Sequence, residues 1–306
     1  MRILVLGAGV IGSVYAGQLL QAGHQVALVA RGSRLADVRA HGLVLEDAES
    51  GEHRELPIEV LEVPADVRYD LVVVAVRSEQ LTGTLPILAA ITDVPDVLFL
   101  GNTAGHSRDL IEALGDRVVL GFPGVGGVVD GAVVRYVLIG QQKTILGEPS
   151  GAISSRVRRL QAIFTDAGFP TRLTAGIDAW LLGHLAFVVP IAFALYRADT
   201  DAARLARDPV SLRLMVRATS QAFRALRAAR VAEIPTNLAI LYLWMPRRFA
   251  VGYWRRILAS PRGELWFAGH ARGAAQEMTL LRDELLAAVH GTGRSAPELD
   301  SLLAPR

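Results

Sequence analysis

The chain has 306 residues, 51% hydrophobic and 20% charged, with a formal net charge of +2. That length accommodates two domains with separate cores, and the lack of cysteine excludes disulfides and thiolate metal sites. The basic residues are nearly all arginine, scattered or in short pairs such as Arg158-Arg159, Arg247-Arg248 and Arg255-Arg256. Such pairs are too short for a nucleic-acid stripe, so no nucleic-acid partner is expected.

Residues 3–6 form a fully apolar run that ends at Gly7, as expected of a buried strand. A helix follows, with Val14, Leu19 and Leu20 on its inner side, and residues 25–30 supply a second strand. Residues 71–76 (LVVVAV) and 97–100 (VLFL) are too short for helices and too continuously apolar for half-exposed strands. They suit a parallel sheet covered on both faces. Residues 118–122, 135–139 and 143–146 carry β-branched side chains between glycines and are expected to extend that sheet. Strands alternating with helices imply a doubly wound α/β domain.

The pattern changes near Pro149-Ser150-Gly151. Beyond it, residues 155–167, 177–196, 205–230 with a break at Asp208-Pro209, 237–244 and 265–290 read as helices, and strand alternation disappears. The expected division is an α/β domain over residues 1–170 and an all-α domain over 171–306. Two apolar runs are not expected to be membrane signals. Residues 3–20 contain Gly7, Gly9 and Gly12 and have no basic leader. Residues 179–196 contain His184 and Pro190 near their middle, which fits a helix buried between domains better than a membrane span. A cytoplasmic protein with no membrane partner is the expectation.

Gly7-Ala8-Gly9-Val10-Ile11-Gly12 directly follows the first strand and opens the first helix. The first glycine permits a tight turn and the second allows close approach of a pyrophosphate. The third lets helix and strand pack together, while the helix N-terminus attracts the phosphates. With a strand before, a helix after and a second strand at the right distance, this is a dinucleotide-binding unit. An NAD site would place Asp or Glu at the end of the second strand, about 20 residues on. Here Arg31 stands there, followed by Gly32-Ser33-Arg34, and no carboxylate occurs between Gly12 and Asp37. A guanidinium grips a 2′-phosphate that a carboxylate would repel, so the expected cofactor is NADP(H). Arg77, after the third apolar strand, and Asn102, after the fourth, are further candidates, because ligands in open α/β sheets bind at the carboxyl ends of strands.

These residues resemble the ketopantoate reductase (2-dehydropantoate 2-reductase) family. The resemblance rests on the GAGVIG turn, Val29-Ala30-Arg31-Gly32, Val74-Ala75-Val76-Arg77, Gly101-Asn102-Thr103-Ala104-Gly105 and Asp178-Ala179-Trp180. It implies a Rossmann domain joined to an all-α C-terminal domain, with NADPH and an oxo-acid meeting in the cleft. It also implies that Arg31 binds the 2′-phosphate, that Arg77 replaces a lysine near the cofactor, and that Asn102 lies near the nicotinamide. The long helix departs from the family pattern. The position of the family's proton-donating lysine holds Leu182, and its two substrate-binding asparagines correspond to Ala186 and Pro190. Lys143 is the only lysine in the chain and precedes the helical domain, so no shift of alignment restores the donor.

A general acid contributes on the order of 100- to 10,000-fold in rate, so its loss bears directly on the reaction. His184, one turn beyond Trp180, is the first replacement considered, against the alternative of a buried, hydrogen-bonded histidine. Glu264, which resembles a family glutamate near the substrate, is the second, against a carboxylate favoured by a helix start. His270 and Glu277 lie two turns apart and read as a solvated helix face, and no metal site is expected. Trp180, Trp244, Trp254 and Trp266 read as core or cleft lining, which points to a fairly apolar substrate. Three functions stay open: an NADP(H)-dependent reductase of a carbonyl, or of an imine; a non-catalytic NADP(H)-binding sensor or scaffold; and a 2-dehydropantoate 2-reductase with a substitute acid. A small-molecule substrate is the expected partner, and the apolar helical domain is compatible with a homodimer.

Overall fold

The apolar run after Met1 becomes β1 (Arg2–Leu6), buried along all but its first residue. In the computed structural model, which describes residues 1–305, β1 lies inside an eight-stranded sheet. Its neighbours are β2 (Gln25–Val29) on one side and β6 (Leu71–Val74) on the other, both parallel to it. Between β1 and β2 runs α1 (Val10–Gln21), and α2 (Gly32–His41) follows β2. The sheet gains β5 (Glu59–Leu61) beyond β2, then β7 (Val97–Leu100) and β8 (Val118–Phe122) beyond β6. Helices α3 (Ser78–Ala90) and α4 (Ser107–Leu114) make the crossovers. At the far edge β11 (Thr144–Gly147) pairs antiparallel with β8, and β12 (Thr171–Leu173) pairs parallel with β11. Read from β5 to β8 the order is β5-β2-β1-β6-β7-β8. The direction of winding therefore reverses beside β1, which makes its carboxyl end the switch point where such sheets bind ligands.

One expectation is corrected. Residues 135–139 do not extend the parallel sheet. β10 (Val133–Leu138) pairs with β9 (Val125–Asp130) and with β3 (Leu43–Asp47), and β4 (His53–Leu56) completes a separate four-stranded sheet. Its exposed and half-exposed strands alternate less clearly than the core strands, and β3, β4 and β9 gave no continuous apolar run to read. This second sheet rests on α1. A Cβ on Gly17 would stand 2.5 Å from the Leu45 Cδ1 atom, so glycine sets how closely helix and sheet approach.

The chain divides into two units, Met1–Ile177 and Asp178–Arg306. The division falls after Ile177, beyond residue 170, because β12 still belongs to the first sheet. Helix α5 (Ser155–Asp166) also packs in the first unit, where Tyr15 stacks on Phe169 at 4.0 Å and meets Phe164 edge-on. The second unit is helical. It begins with α6 (Ile177–Arg197), followed by α7 (Ala202–Arg207) and α8 (Pro209–Ala228). The Asp208-Pro209 break is a helix start, with Pro209 at the first position and the Asp208 carboxylate accepting the Val210 and Ser211 N–H groups at 2.9 and 3.2 Å. Next come α9 (Thr236–Ala239), a π-helical turn (Ile240–Trp244) and α10 (Arg247–Leu258). The expected helix over 265–290 is divided. After α11 (Pro261–Gly263) it falls into a π-helical turn (Glu264–Ala268), α12 (Gly269–Gly273) and α13 (Ala275–His290), and α14 (Pro297–Leu303) ends the unit. Helix α6 is long and apolar enough to cross a membrane, but 67% of that stretch is buried, as in a core helix.

Candidate functional site

In the first unit, four of the expected groups meet at one sheet edge. β7, β6, β1 and β2 are consecutive neighbours and run in the same direction. The residues that follow them, Asn102, Arg77, Gly7–Gly12 and Arg31, therefore emerge on the same side. Gly7 has φ +112°, and a Cβ there would strike the Ala75 carbonyl oxygen at 2.5 Å. A Cβ on Gly12 would lie 1.8 Å from the Gly7 carbonyl oxygen, so helix and turn pack too closely for any side chain. Gly9 differs, because nothing lies within 4 Å of where its Cβ would be. It is the exposed N-cap of α1, with no side chain capping that helix and no acidic residue in its first turn. This is a bare, positively polarised helix end beside an open backbone cradle, which suits a pyrophosphate.

The turn is held firmly. The Ala8 carbonyl accepts a hydrogen bond from the Ser13 hydroxyl and another from Arg34 Nε, each at 3.2 Å. Arg34 also donates to the Ala132 carbonyl at 3.2 Å and faces Asp37 at 3.7 Å. Burial pulls its guanidinium below its ordinary pKa, and Asp37 opposes the shift. One of its nitrogens, Nη2, is buried without a hydrogen-bond partner. A buried guanidinium nitrogen left over beside the glycine turn fits an anionic group better than it fits the protein alone. Arg31, exposed at the N-cap of α2, stands three residues earlier. The sequence reading singled out Arg31 and passed over Arg34. The signal was its spacing, since residues three apart on a helix lie on the same side. Together these residues fit a dinucleotide bearing an extra phosphate. Arg77 is exposed at the N-cap of α3 and Asn102 is half-buried beyond β7. Lys143 is exposed just before β11, far along the chain from the helical unit.

In the second unit, α6 carries Trp180, His184 and Phe187 along one side. Trp180 is buried and stacks on the His184 ring at 5.5 Å and 12°. Phe187 meets His184 edge-on, then Trp254 at 5.7 Å and Phe267 at 6.2 Å, and Trp254 meets Phe267 at 5.5 Å. Leu182 is half-buried on the same helix. Gly183 is required here, because a Cβ would lie 2.0 Å from the Glu233 carbonyl oxygen, and the Glu233 N–H is bonded to the Ala179 carbonyl at 2.8 Å. Burial among these rings pushes the His184 imidazole from 6.5 down to about 3, and the like charge of His270 adds to the shift. His184 is therefore neutral at physiological pH and offers a ring N–H in place of an imidazolium.

Two other readings change. The solvated face expected of His270 and Glu277 is seen at His270, which is exposed, and not at Glu277. Glu277 is 3% exposed, and its carboxylate lies 3.8 Å from His270 Nε2. The tryptophans also divide: Trp180 and Trp254 are buried, Trp266 is half-buried and Trp244 is 59% exposed. Glu264 stands at the start of a π-helical turn, half-exposed and paired with Arg272. Among the described residues, no group of three or more His, Asp or Glu could hold a metal ion.

Comparison with known proteins agrees with this arrangement. Residues 3–151 match the family described as "Ketopantoate reductase PanE/ApbA". Over 242 residues the chain is 26% identical to the 2-dehydropantoate 2-reductase of Aquifex aeolicus (strain VF5), spanning 76% of this chain and 74% of that protein. The fold matches the crystal structure of 2-dehydropantoate 2-reductase from Geobacter metallireducens GS-15 with a TM-score of 0.81 at 18% identity, over 99% of this chain and 98% of that one. It matches the ternary structure of D-mandelate dehydrogenase with NADH and anilino(oxo)acetate with a TM-score of 0.76 at 16% identity, over 99% and 96%. Residues 3–151 are thus similar to the ketopantoate reductase PanE/ApbA family, and the chain shares its fold with a solved 2-dehydropantoate 2-reductase.

Proposed function

We propose that this protein is an NADP(H)-dependent reductase acting on a carbonyl carbon, or the related imine, of a fairly apolar small molecule. The observation that carries this reading is the pairing of a bare phosphate turn with two arginines, Arg31 and the half-satisfied Arg34, where an NAD site would hold a carboxylate. Bound NADPH supplies a hydride to an electrophilic carbon. Gly7, Ala8, Gly9, Val10, Ile11 and Gly12 hold the pyrophosphate, Arg31 and Arg34 bind the 2′-phosphate, and Arg77 and Asn102 attend the rest of the cofactor. In the helical unit the half-buried rings of Phe187 and Phe267, backed by the buried Trp180 and Trp254, select apolar substrate and exclude water. His184 donates a hydrogen bond from its neutral ring to the substrate oxygen, as a neutral imidazole can when burial lowers its pKa. Glu264, fixed by Arg272, orients a polar substrate group.

The test is a titration with both nicotinamide cofactors, followed by turnover. The wild type binds NADPH at least tenfold more tightly than NADH. Arg31→Asp weakens NADPH binding by about 10- to 100-fold, the loss of a charge-assisted contact, and leaves NADH nearly unchanged. Equal affinity for the two cofactors overturns the assignment. NADPH oxidation is then followed across a panel of aryl and alkyl 2-oxo acids, ketones and cyclic imines. Leu182 at the lysine position favours a second reading, a non-catalytic NADP(H)-binding protein. Tight NADPH binding with no oxidation anywhere in the panel selects it.

A further inference from the structure

Residues 209–263 contain ten arginines and one carboxylate, Glu233, in a chain whose total formal charge is only +2. The sequence reading treated these arginines as scattered, and the fold gathers them. Helix α8, the π-helical turn Ile240–Trp244 and α10 pack on one another. Near the end of α8, Arg224, Arg227 and Arg230 line an open groove of about 460 Å³, together with Leu243 and Trp244 and with no acidic side chain. The Arg227 guanidinium lies 5.5 Å from the centre of the Trp244 ring. From there, the six residues Trp244-Met245-Pro246-Arg247-Arg248-Phe249 are all exposed. Helix α10 buries Ala250, Trp254 and Leu258 at intervals of four. Its outward side carries Phe249, 48% exposed, and Tyr253, beside Arg255 and Arg256. Ile240 and Val231 are exposed as well.

We propose that this face docks the protein on an anionic lipid bilayer. Headgroup phosphates would occupy the Arg224–Arg227–Arg230 groove, and Trp244, Met245 and Phe249 would enter the headgroup–acyl boundary. Charge complementarity selects this occupant, because arginine and large apolar side chains on one surface match a layer that is anionic outside and apolar beneath. Trp and Tyr favour that interface, and arginine stems lie along apolar surface while their charge stays in water. A second copy bound symmetrically through this face would set its positive charge against itself. A polynucleotide would match the charge but would leave Val231, Ile240 and Met245 without apolar partners. This departs from the expectation of no membrane partner, which was argued from the two apolar runs, because peripheral docking needs no span.

The experiment is flotation of the full chain with vesicles of phosphatidylcholine alone and of phosphatidylcholine mixed with phosphatidylglycerol. Binding is expected only to the anionic vesicles, falling steeply between 50 mM and 500 mM salt. Arg227→Gln/Arg230→Gln should lower the partition coefficient by about 25-fold, roughly fivefold per arginine. Trp244→Ser/Phe249→Ser should lower it by about tenfold or more while leaving its salt dependence nearly unchanged. All four side chains are exposed on the helical unit, so these variants keep the helical circular dichroism and the unfolding transition of the wild type, which shows that they are folded. Equal binding to neutral vesicles overturns the proposal, as does no binding to anionic vesicles at low salt. So does a change from dimer to monomer by light scattering in the Trp244→Ser/Phe249→Ser variant, or capture of RNA in place of vesicles.

Discussion

His184 gains its character from its neighbours. A histidine on a helix in water titrates near 6.5, but here Trp180 and Phe187 cover its ring and burial holds it neutral down to about pH 3. Because the folded value lies below the unfolded one, the unfolded chain binds the extra proton between those limits. Stability should therefore fall as pH drops from about 6.5 toward 3. Urea unfolding of His184→Gln across this range should show a flatter pH dependence than the wild type, by at most about 1.4 kcal/mol per pH unit. Parallel slopes in the two proteins would show that His184 protonates freely when folded. Gly12 is constrained as tightly by geometry. Gly12→Ala places a methyl against the Gly7 carbonyl. It should destabilise the first unit by about 1–3 kcal/mol, the range of an overpacked site, and weaken NADPH binding measured by fluorescence.

At the scale of elements, the start of β7, at the opposite end of the strand from Asn102, is tied down by a link from α5. Arg156 on α5 donates to Glu148 at 2.9 Å, faces the fully buried Asp96 at 3.7 Å and donates to the Asp116 carbonyl. Asp96 directly precedes β7, and Arg159 adds a second bond to it at 2.5 Å. Arg156→Met leaves two buried carboxylates short of a partner. It should cost about 3–5 kcal/mol, the range found when one member of a buried ion pair is removed, read from the unfolding transition of the full chain. Elements differ in how openly the sequence declares them. β1, β2, β6 and β7 were legible because strands buried on both faces need apolar side chains at nearly every position. β4 (HREL) and β9 (VGGVVD) were not, because one face of their sheet meets solvent and charge and glycine interrupt the pattern. The 265–290 pattern concealed a break at Gly273-Ala274, since helical spacing persists across a short interruption.

At the scale of the whole molecule, the first unit has its own sheet and core and closes at Ile177. Residues 1–177 expressed alone should unfold cooperatively and bind NADPH within about threefold of the full chain, as expected of a domain with its own core. Calorimetry and cofactor titration of the fragment check this, and a fragment without a cooperative transition refutes it. Charge, too, has meaning only at this scale. A near-neutral total conceals a strongly basic stretch over 209–263, and a count over the full chain could not show where folding would put it.

By itself the sequence determined the parallel sheet, the glycine turn, the absence of a carboxylate near Arg31 and the absence of any lysine from the helical unit. Each of these is local, because it depends on residue type along a given stretch of chain. Only the tertiary structure decided that Arg34 returns to the Ala8 carbonyl, that Glu277 is buried against His270, and that His184 is stripped of its charge. It also placed Trp244 at the surface and gathered the arginines around it. Burial and charge neighbourhood are set by residues distant in sequence, and helical periodicity specifies a face without specifying what covers it.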